Sequence, residues 1–306
     1  MKKLILFLFF LSLSCMALAK EPIEGRWDIT ITKAPGKTAP SWLEINHSGI
    51  RTLTGHFVGD GGSARPISKI NFKDNKISFQ IPPQWEDAEQ DLIVEGTYAN
   101  DQLSGTLSTP KGEKFTWTGV RAPALWREKT PTWGNPIQIF NGKDLTGWEA
   151  INKKNQWIVE DGILKSPKSG ANLRTKDTYN DFKLHIEFRY PKESNSGVYL
   201  RGRYEVQVAD SQGMEAAKDQ LGAIYGFIIP LENIAKAPGE WQSFDITLVG
   251  RLVTVIGNGK QIIYTQSIPG ITGGALDSNE GEPGPIMIQG DHGPVEYRNI
   301  VLTPAL

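Results

Sequence analysis

The stretch that most limits what this chain can become is residues 181–210, DFKLHIEFRYPKESNSGVYLRGRYEVQVAD, where charged and apolar side chains alternate through three extended runs. Successive side chains of a strand point to opposite faces, so His185, Glu187 and Arg189 share one face while Ile186 and Phe188 share the other. The second run groups Tyr199, Arg201 and Arg203, and the third groups Glu205 and Gln207. Residues 191–197 and Gly202 separate the runs. Side by side in one antiparallel sheet, the three runs would bury one face and cover the other with carboxylate, guanidinium and amide groups. A solvated face held by cross-strand ion pairs, each contributing less than about 1 kcal/mol, gives the same alternation. The density of planar hydrogen-bonding groups (Glu187, Arg189, Asn195, Arg201, Glu205, Gln207) favours a surface built to hold a sugar.

At 306 residues the chain exceeds what one core usually organises, so two domains are expected. Short β-branched and aromatic runs punctuated by 32 Gly and 19 Pro point to an all-β architecture. Residues 20–120 read as a small β-meander, closing into a barrel or sandwich, with hairpin turns at Asp74-Asn75 and Asn100-Asp101. No metal-ligand spacing, nucleophile motif or phosphate loop occurs there, so His47 and His56 are read as structural and the domain as dispensable for chemistry. An accessory sugar contact through Trp42 and Trp85 is the one role its residues suggest. Residues 121–136 carry three Pro and two Trp and are expected to form a stiff extended linker whose tryptophans pack against one or both domains. The second domain is assigned to residues 137–306. Met214, Ala217 and Leu221 within residues 211–222 have roughly helical spacing, consistent with a short helix or an ordered loop.

Residues 1–19 combine Lys2 and Lys3, an apolar run too short to span a bilayer and the small-residue ending Ala17-Leu18-Ala19, which predicts a secretory signal and a periplasmic or secreted protein. Cys15 offers the alternative of a lipid anchor, weakened by Ser12 where such signals carry Leu. A formal net charge of −1, with no basic stripe, argues against a nucleic-acid partner, and no later segment is long enough for a membrane span.

Seven runs in the second domain come in a recognisable order: NGKDLTGW (141–148), WIVEDGIL (157–164), NSGVYLR (195–201), YEVQVAD (204–210), GAIYG (222–226), PGEWQSFDI (238–246) and QGDHGPVEYRNI (289–300). From about residue 136 to the C-terminus the chain resembles the bacterial 3-keto-disaccharide hydrolase domain family, also described as a 3-keto-glucoside 1,2-lyase and 3-keto-2-hydroxy-glucal hydratase. The resemblance implies a concanavalin-A-like jelly-roll sandwich whose concave face holds an oxidised (3-keto) glucoside. It also implies removal of the C2 proton, departure of the glycosidic oxygen from C1 and addition of water.

Glu187 and Glu205 are candidate acid and base carboxylates. His292, oriented by Asp291 in a Gly-flanked loop, is the candidate imidazole, and Arg201 is the candidate stabiliser of the enolate oxygen. Arg189, Asn195, Gln207, Asp210, Tyr225, Gln289 and Asp291 are candidate substrate contacts. Gly290 and Gln242 depart from the expected pattern. A Gly-x-Ser-x-Gly elbow and the HExxH and Cys-His zinc patterns are absent, and no motif specifies a cofactor; a divalent cation binding the ketone and a hydroxyl, with Glu or Asp ligands, is the one the chemistry could use. A non-catalytic carbohydrate-binding module and a conventional glycosidase acting on unoxidised glycans are the alternatives, since one fold serves all three.

Overall fold

The computed structural model describes residues 20–84 and 86–306; residues 1–19, with the export signal and Cys15, and Trp85 lie outside the described residues. Eight antiparallel strands follow in chain order around a closed barrel: β1 (Gly25–Ala34), β2 (Lys37–Ser48), β3 (Thr52–Val58), β4 (Arg65–Lys73), β5 (Lys76–Ile81), β6 (Leu92–Ala99), β7 (Gln102–Ser108) and β8 (Lys114–Arg121). β1 pairs with β8, which leaves no free sheet edge. Asp74 and Asn75, and Asn100 and Asp101, all have positive φ, and each pair forms the two-residue turn of a tight hairpin. Alternation along the strands sends Trp27, Ile29, Leu43, Phe57, Phe79 and Trp117 into the barrel core.

The same alternation turns Trp42 outward from the barrel. It is fully buried in the core of the second domain, edge-on to Phe227 with ring centroids 5.4 Å apart. The expected sugar contact at Trp42 is therefore corrected: a ring with no exposed face joins the two domains.

The second domain is an antiparallel two-sheet sandwich. Its strands are β9 (Ile137–Gln138), β10 (Trp148–Ile151), β11 (Ile158–Glu160), β12 (Ile163–Ser166), β13 (Asn172–Thr175), β14 (Phe182–Arg189), β15 (Asn195–Leu200), β16 (Tyr204–Ala209), β17 (Gln242–Val249), β18 (Leu252–Gly257), β19 (Lys260–Ser267), β20 (Met287–Ile288) and β21 (Val295–Pro304). One sheet has the order β10-β13-β20-β15-β16 and the other β11-β12-β21-β14-β17-β18-β19, with β9 paired to β21. Val198, Leu200, Val206 and Ile288 of the first sheet share one buried cluster with Ile186, Phe188, Phe244 and Ile246 of the second. Trp148 and Trp157 are also buried there.

The chain changes sheet between β14 and β15, so the three alternating runs do not lie in one sheet. Residues 211–222 form a loop rather than a helix. Ser211 Oγ accepts the Leu221 amide and Asn233 Nδ2 donates to the Ser211 and Met214 carbonyls, taking up backbone groups that a helix would have paired internally. In the linker, Trp133 bridges to Ala305 and lies under the Lys183 ammonium, whereas Trp126 is 72% exposed, against the expectation that both tryptophans pack on the domains.

The barrel is seated on the sandwich by specific bonds. Ser278 Oγ donates to the Ile29 carbonyl at 2.5 Å, and the buried Asp28 carboxyl hydrogen-bonds Glu280. Glu280 is held in turn by both guanidinium nitrogens of Arg251 at 2.6 Å. Among the described residues no helix is long and apolar enough to cross a membrane.

Candidate functional site

The register of the five-stranded sheet defines one polar face. Tyr199 pairs with Glu205 and Gly197 with Gln207 between β15 and β16, while Tyr199 faces Met287 of β20. Asn195, Gly197, Tyr199, Glu205 and Gln207 therefore project to one side, and Gln289 follows Met287 onto it. Arg174 of β13 faces Met287, and Glu149 of β10 faces Arg174, which extends the face with an ion pair of 2.7 Å. The edge at β16 is closed by residues 222–225, whose backbone exchanges hydrogen bonds with Glu205 and Gln207.

Glu205 is 3% exposed and its side chain lies over Gly197, where a Cβ would fall 2.1 Å from Oε1. Glycine is required at 197 to admit this carboxyl group. The Tyr199 hydroxyl lies 2.9 Å from Glu205 Oε2 and 3.0 Å from the Gly273 carbonyl oxygen. Burial pushes the Glu205 carboxyl up to about 8, the Tyr199 bond opposing the rise and the nearby Asp291 charge adding to it. Glu205 therefore holds its proton at neutral pH.

Gln207 is fixed through Nε2, which donates to Asn195 Oδ1 and the Asp219 carbonyl, so its Oε1 points elsewhere. That oxygen and Gln289 Oε1 are buried acceptors without a protein partner. Two unmatched acceptors on one face suit a ligand rich in hydroxyl donors, since a buried acceptor left without a donor is costly.

Beyond β20 the loop at residues 289–293 is held by Gln156, whose Nε2 donates to the Ala171 carbonyl and whose Oε1 accepts the Ala171 amide. Asn172 Oδ1 accepts the Gly290 amide. A Cβ at Gly290 would fall 2.3 Å from the Ala171 carbonyl oxygen and 2.8 Å from the Trp157 ring, which explains glycine before Asp291-His292. His292 Nδ1 and Asp291 Oδ1 are 2.8 Å apart. That hydrogen bond holds Asp291 below its usual range and raises His292 above its own. With Asp291 ionised, His292 Nδ1 carries the proton and Nε2 is left as the basic nitrogen.

The model of the 3-keto-alpha-glucoside-1,2-lyase-like domain matches residues 135–303, more than half of the chain. The chain belongs to this lyase-like family. Among solved structures it is similar to two candidate glycosyl hydrolases from Parabacteroides distasonis. One is 32% identical, with 59% of this chain and 94% of that one covered and a TM-score of 0.48. The other is 25% identical, with 56% and 100% covered and a TM-score of 0.46. A β-glucanase from Bacillus licheniformis is 11% identical over 59% of this chain and 100% of its own, with a TM-score of 0.36. Among proteins with curated descriptions none matches.

On the lyase-like domain the structure brings Glu205, Asn195, Gln207, Gln289, Tyr225, Asp291 and His292 to one sheet face and its rim. Glu187 and Arg189 are not among them. They alternate as expected, but β14 lies between β17 and β21 of the other sheet. There Glu187 accepts Arg298 Nε at 2.6 Å and Asn299 Nδ2 at 2.7 Å, and Arg189 Nε donates to Glu296 at 2.5 Å. The Arg298 and Arg189 guanidinium groups both pack on the Trp241 ring. This is the solvated ion-pair face that the alternation alone also allowed.

Arg201 is corrected as well. It stands in the turn after β15 with φ of 52°, out of the strand alternation, and is fully buried. Its Nη2 donates to the Tyr204 hydroxyl and the Gly250 carbonyl, on the core side of the sheet. An enolate on the polar face is out of its reach. Asp210 caps the sheet-changing connection by accepting the Glu193 amide at 2.9 Å.

Sequence reasoning placed Tyr199 on a polar face without giving it a role, and passed over Gln156 and Asn172. The alternation of Asn172-Leu173-Arg174 was the available signal for Asn172. Gln156, in a loop, gave none. Among the described residues no group of three or more His, Cys, Asp or Glu side chains converges as metal ligands.

Proposed function

We propose that the chain cleaves 3-keto-glucosides by removing the C2 proton, expelling the C1 substituent and then adding water. What carries this reading is one juxtaposition: a buried carboxyl group that keeps its proton, Glu205, on the same sheet face as a loop imidazole held by Asp291. Membership of the lyase-like family supports the substrate class. The lysine pair and apolar run of residues 1–19 support export as its setting.

The ketone at C3 acidifies the hydrogen on C2. His292 Nε2 takes that proton, and the C2–H electron pair moves into a C2–C3 double bond while negative charge develops on the C3 oxygen. Glu205 supplies a proton to that oxygen, the part Arg201 cannot play from the core. A neutral carboxyl group in a buried site is a strong donor to a developing oxyanion and needs no reorganisation to act.

Re-formation of the ketone returns the proton to Glu205 and drives the electron pair toward C1. The C1–O bond breaks, and the departing oxygen takes a proton from the imidazolium of His292. The products are a 2-hydroxy-3-keto-glucal and an alcohol. Addition of water, hydroxyl to C1 and proton to C2, gives the 3-keto sugar and completes a net hydrolysis. Gln207 and Gln289 accept hydroxyl protons of the ring and fix its orientation.

The test is incubation with a 3-keto-disaccharide and, separately, with its unoxidised parent. Cleavage of the ketone form alone, with a C2-deuterium isotope effect, is the expected result. Cleavage of the parent would make the protein a conventional glycosidase, and binding without cleavage of either would make it a carbohydrate-binding module.

A further inference from the structure

A cavity of about 700 Å³ opens where the mouth of the barrel meets the sandwich. Its volume lies in the range of roughly 300–1,000 Å³ typical of small-molecule sites. The sandwich contributes Tyr225 and His292 to its wall, and the barrel contributes the rest. The barrel wall sets apolar side chains, Phe57, Leu92, Leu107 and Phe115, beside the ion pairs Lys33–Asp60 and Arg65–Glu86, the second with its arginine buried. Phe115 is the half-buried member of the apolar set, and the Lys33 ammonium stands 5.9 Å from its ring centroid.

The barrel is fitted to this position rather than hanging beside it. A Cβ on Gly273 would fall 2.1 Å from the Gly62 carbonyl oxygen, and one on Gly226 would fall 2.9 Å from the Ala64 amide nitrogen. Gly273 is also the residue whose carbonyl oxygen lies beside the Tyr199 hydroxyl, so the barrel loop rests one residue away from the Glu205 cluster. The two halves of the cleft differ in chemistry. The unmatched acceptors that suit a sugar ring are on the sandwich, and the barrel adds aromatic and aliphatic surface beside its ion pairs.

We propose that the barrel mouth is the leaving-group subsite of the cleft and takes an aryl or similarly apolar aglycone. The inference rests on the reading that the sandwich cleaves 3-keto-glucosides. With the sugar ring on the sheet face and His292 serving the departing oxygen, the substituent on that oxygen has the cavity beyond His292 to enter, where Phe115 and its apolar neighbours stand in the wall. The barrel, which carries no acid or base of the proposed mechanism, then selects which glycosides are cleaved.

The experiment compares phenyl and methyl 3-keto-α-glucosides as substrates of the full chain and of Phe115→Ala. In the wild type kcat/KM should favour the phenyl substrate, and in the variant that preference should fall about tenfold. An equal loss on both substrates, or no change in preference, overturns the subsite and leaves the activity standing. Failure of the wild type to cleave either substrate overturns the activity instead.

A second measurement on the wild-type chain does not depend on the variant folding or on turnover. In saturation-transfer NMR with unoxidised phenyl α-glucoside, the aryl protons should take up more saturation than the pyranose protons. Equal or weaker transfer to the aryl ring overturns the subsite even if the enzyme proves active.

Discussion

Glu205 and Tyr199 show how burial and a hydrogen bond compete over one proton. The Tyr199 hydroxyl donates to Glu205 Oε2 at 2.9 Å, with the Gly273 carbonyl oxygen 3.0 Å from the same hydroxyl. That donation favours the ionised carboxylate, and burial outweighs it, so Glu205 ionises only near 8. The carboxyl proton is not used in the bond to Tyr199.

Glu205→Gln keeps the shape and the neutral charge but cannot give up a proton. It should reduce kcat by on the order of 100- to 10,000-fold, the usual contribution of a general acid, with melting at pH 7 little changed. Because the native state holds this proton up to about pH 8 and the unfolded chain releases it near 4.5, the native state binds more protons across that window, so stability falls as pH rises through it. The melting temperature of the Gln variant, measured from pH 5 to 8, should lack that part of the slope.

For turnover, kcat/KM should decline above about pH 8 as Glu205 ionises and on the acid side as His292 gains its proton, with a midpoint above the ordinary imidazole value of 6.5. His292→Ala should remove the acid limb and lower kcat far more than it raises KM; wild-type turnover in a folded His292→Ala protein would make the loop imidazole a bystander.

At the scale of elements, the two charged faces of the sandwich should respond oppositely to mutation. Glu187→Ala breaks the pairs to Arg298 and Asn299 on a partly exposed surface, where such bonds contribute about 1 kcal/mol or less. A small drop in melting temperature with turnover within about twofold of wild type is expected. Gly197→Ala adds one methyl group against Glu205 Oε1 and should cost about 1–3 kcal/mol of overpacking while displacing the acid; unchanged activity would show that the carboxyl group can relax at no cost.

These contrasts also mark what could be read from the amino acids. Period-two alternation identified the three extended runs of residues 181–210 and put Glu205 and Gln207 on one face, because side-chain direction is a local property. It could not say that β14 pairs with β21, more than a hundred residues later, since that choice depends on which apolar faces meet. The turn at Arg201 was hidden for a related reason: nothing in LRGRY shows which residue takes positive φ. Hairpins were easier, because Asp74-Asn75 and Asn100-Asp101 carry their turn chemistry with them.

At the scale of the whole molecule, the joint between barrel and sandwich is a buried network in which acidic groups meet. Burial, together with the hydrogen bond and charge of Glu280, pushes the Asp28 carboxyl up to about 9, while Arg251 and Arg203 oppose the rise. The joint is therefore closed by a proton. Native Asp28 keeps it from near 3.8, where the unfolded chain would release it, up to about pH 9, so this contribution to stability drains away as pH rises across that interval. Asp28→Asn should preserve a neutral hydrogen-bonding group and flatten the loss; melting curves of the two proteins that stay parallel from pH 6 to 9.5 would remove Asp28 from the joint.

The strand order of the sandwich also bears on how the molecule comes to exist. β20 supplies only Met287 and Ile288, yet it is the link between β13 and β15, and the polar face does not become one surface until it is inserted. The barrel needs nothing beyond Arg121 to close, and seven of its eight pairings join strands that are neighbours in the chain. Contacts between distant segments form slowly because loop-closure entropy opposes them. A nascent chain should therefore carry a finished barrel while its lyase-like half is still open, and the polar sheet face should be the last surface of the protein to be assembled.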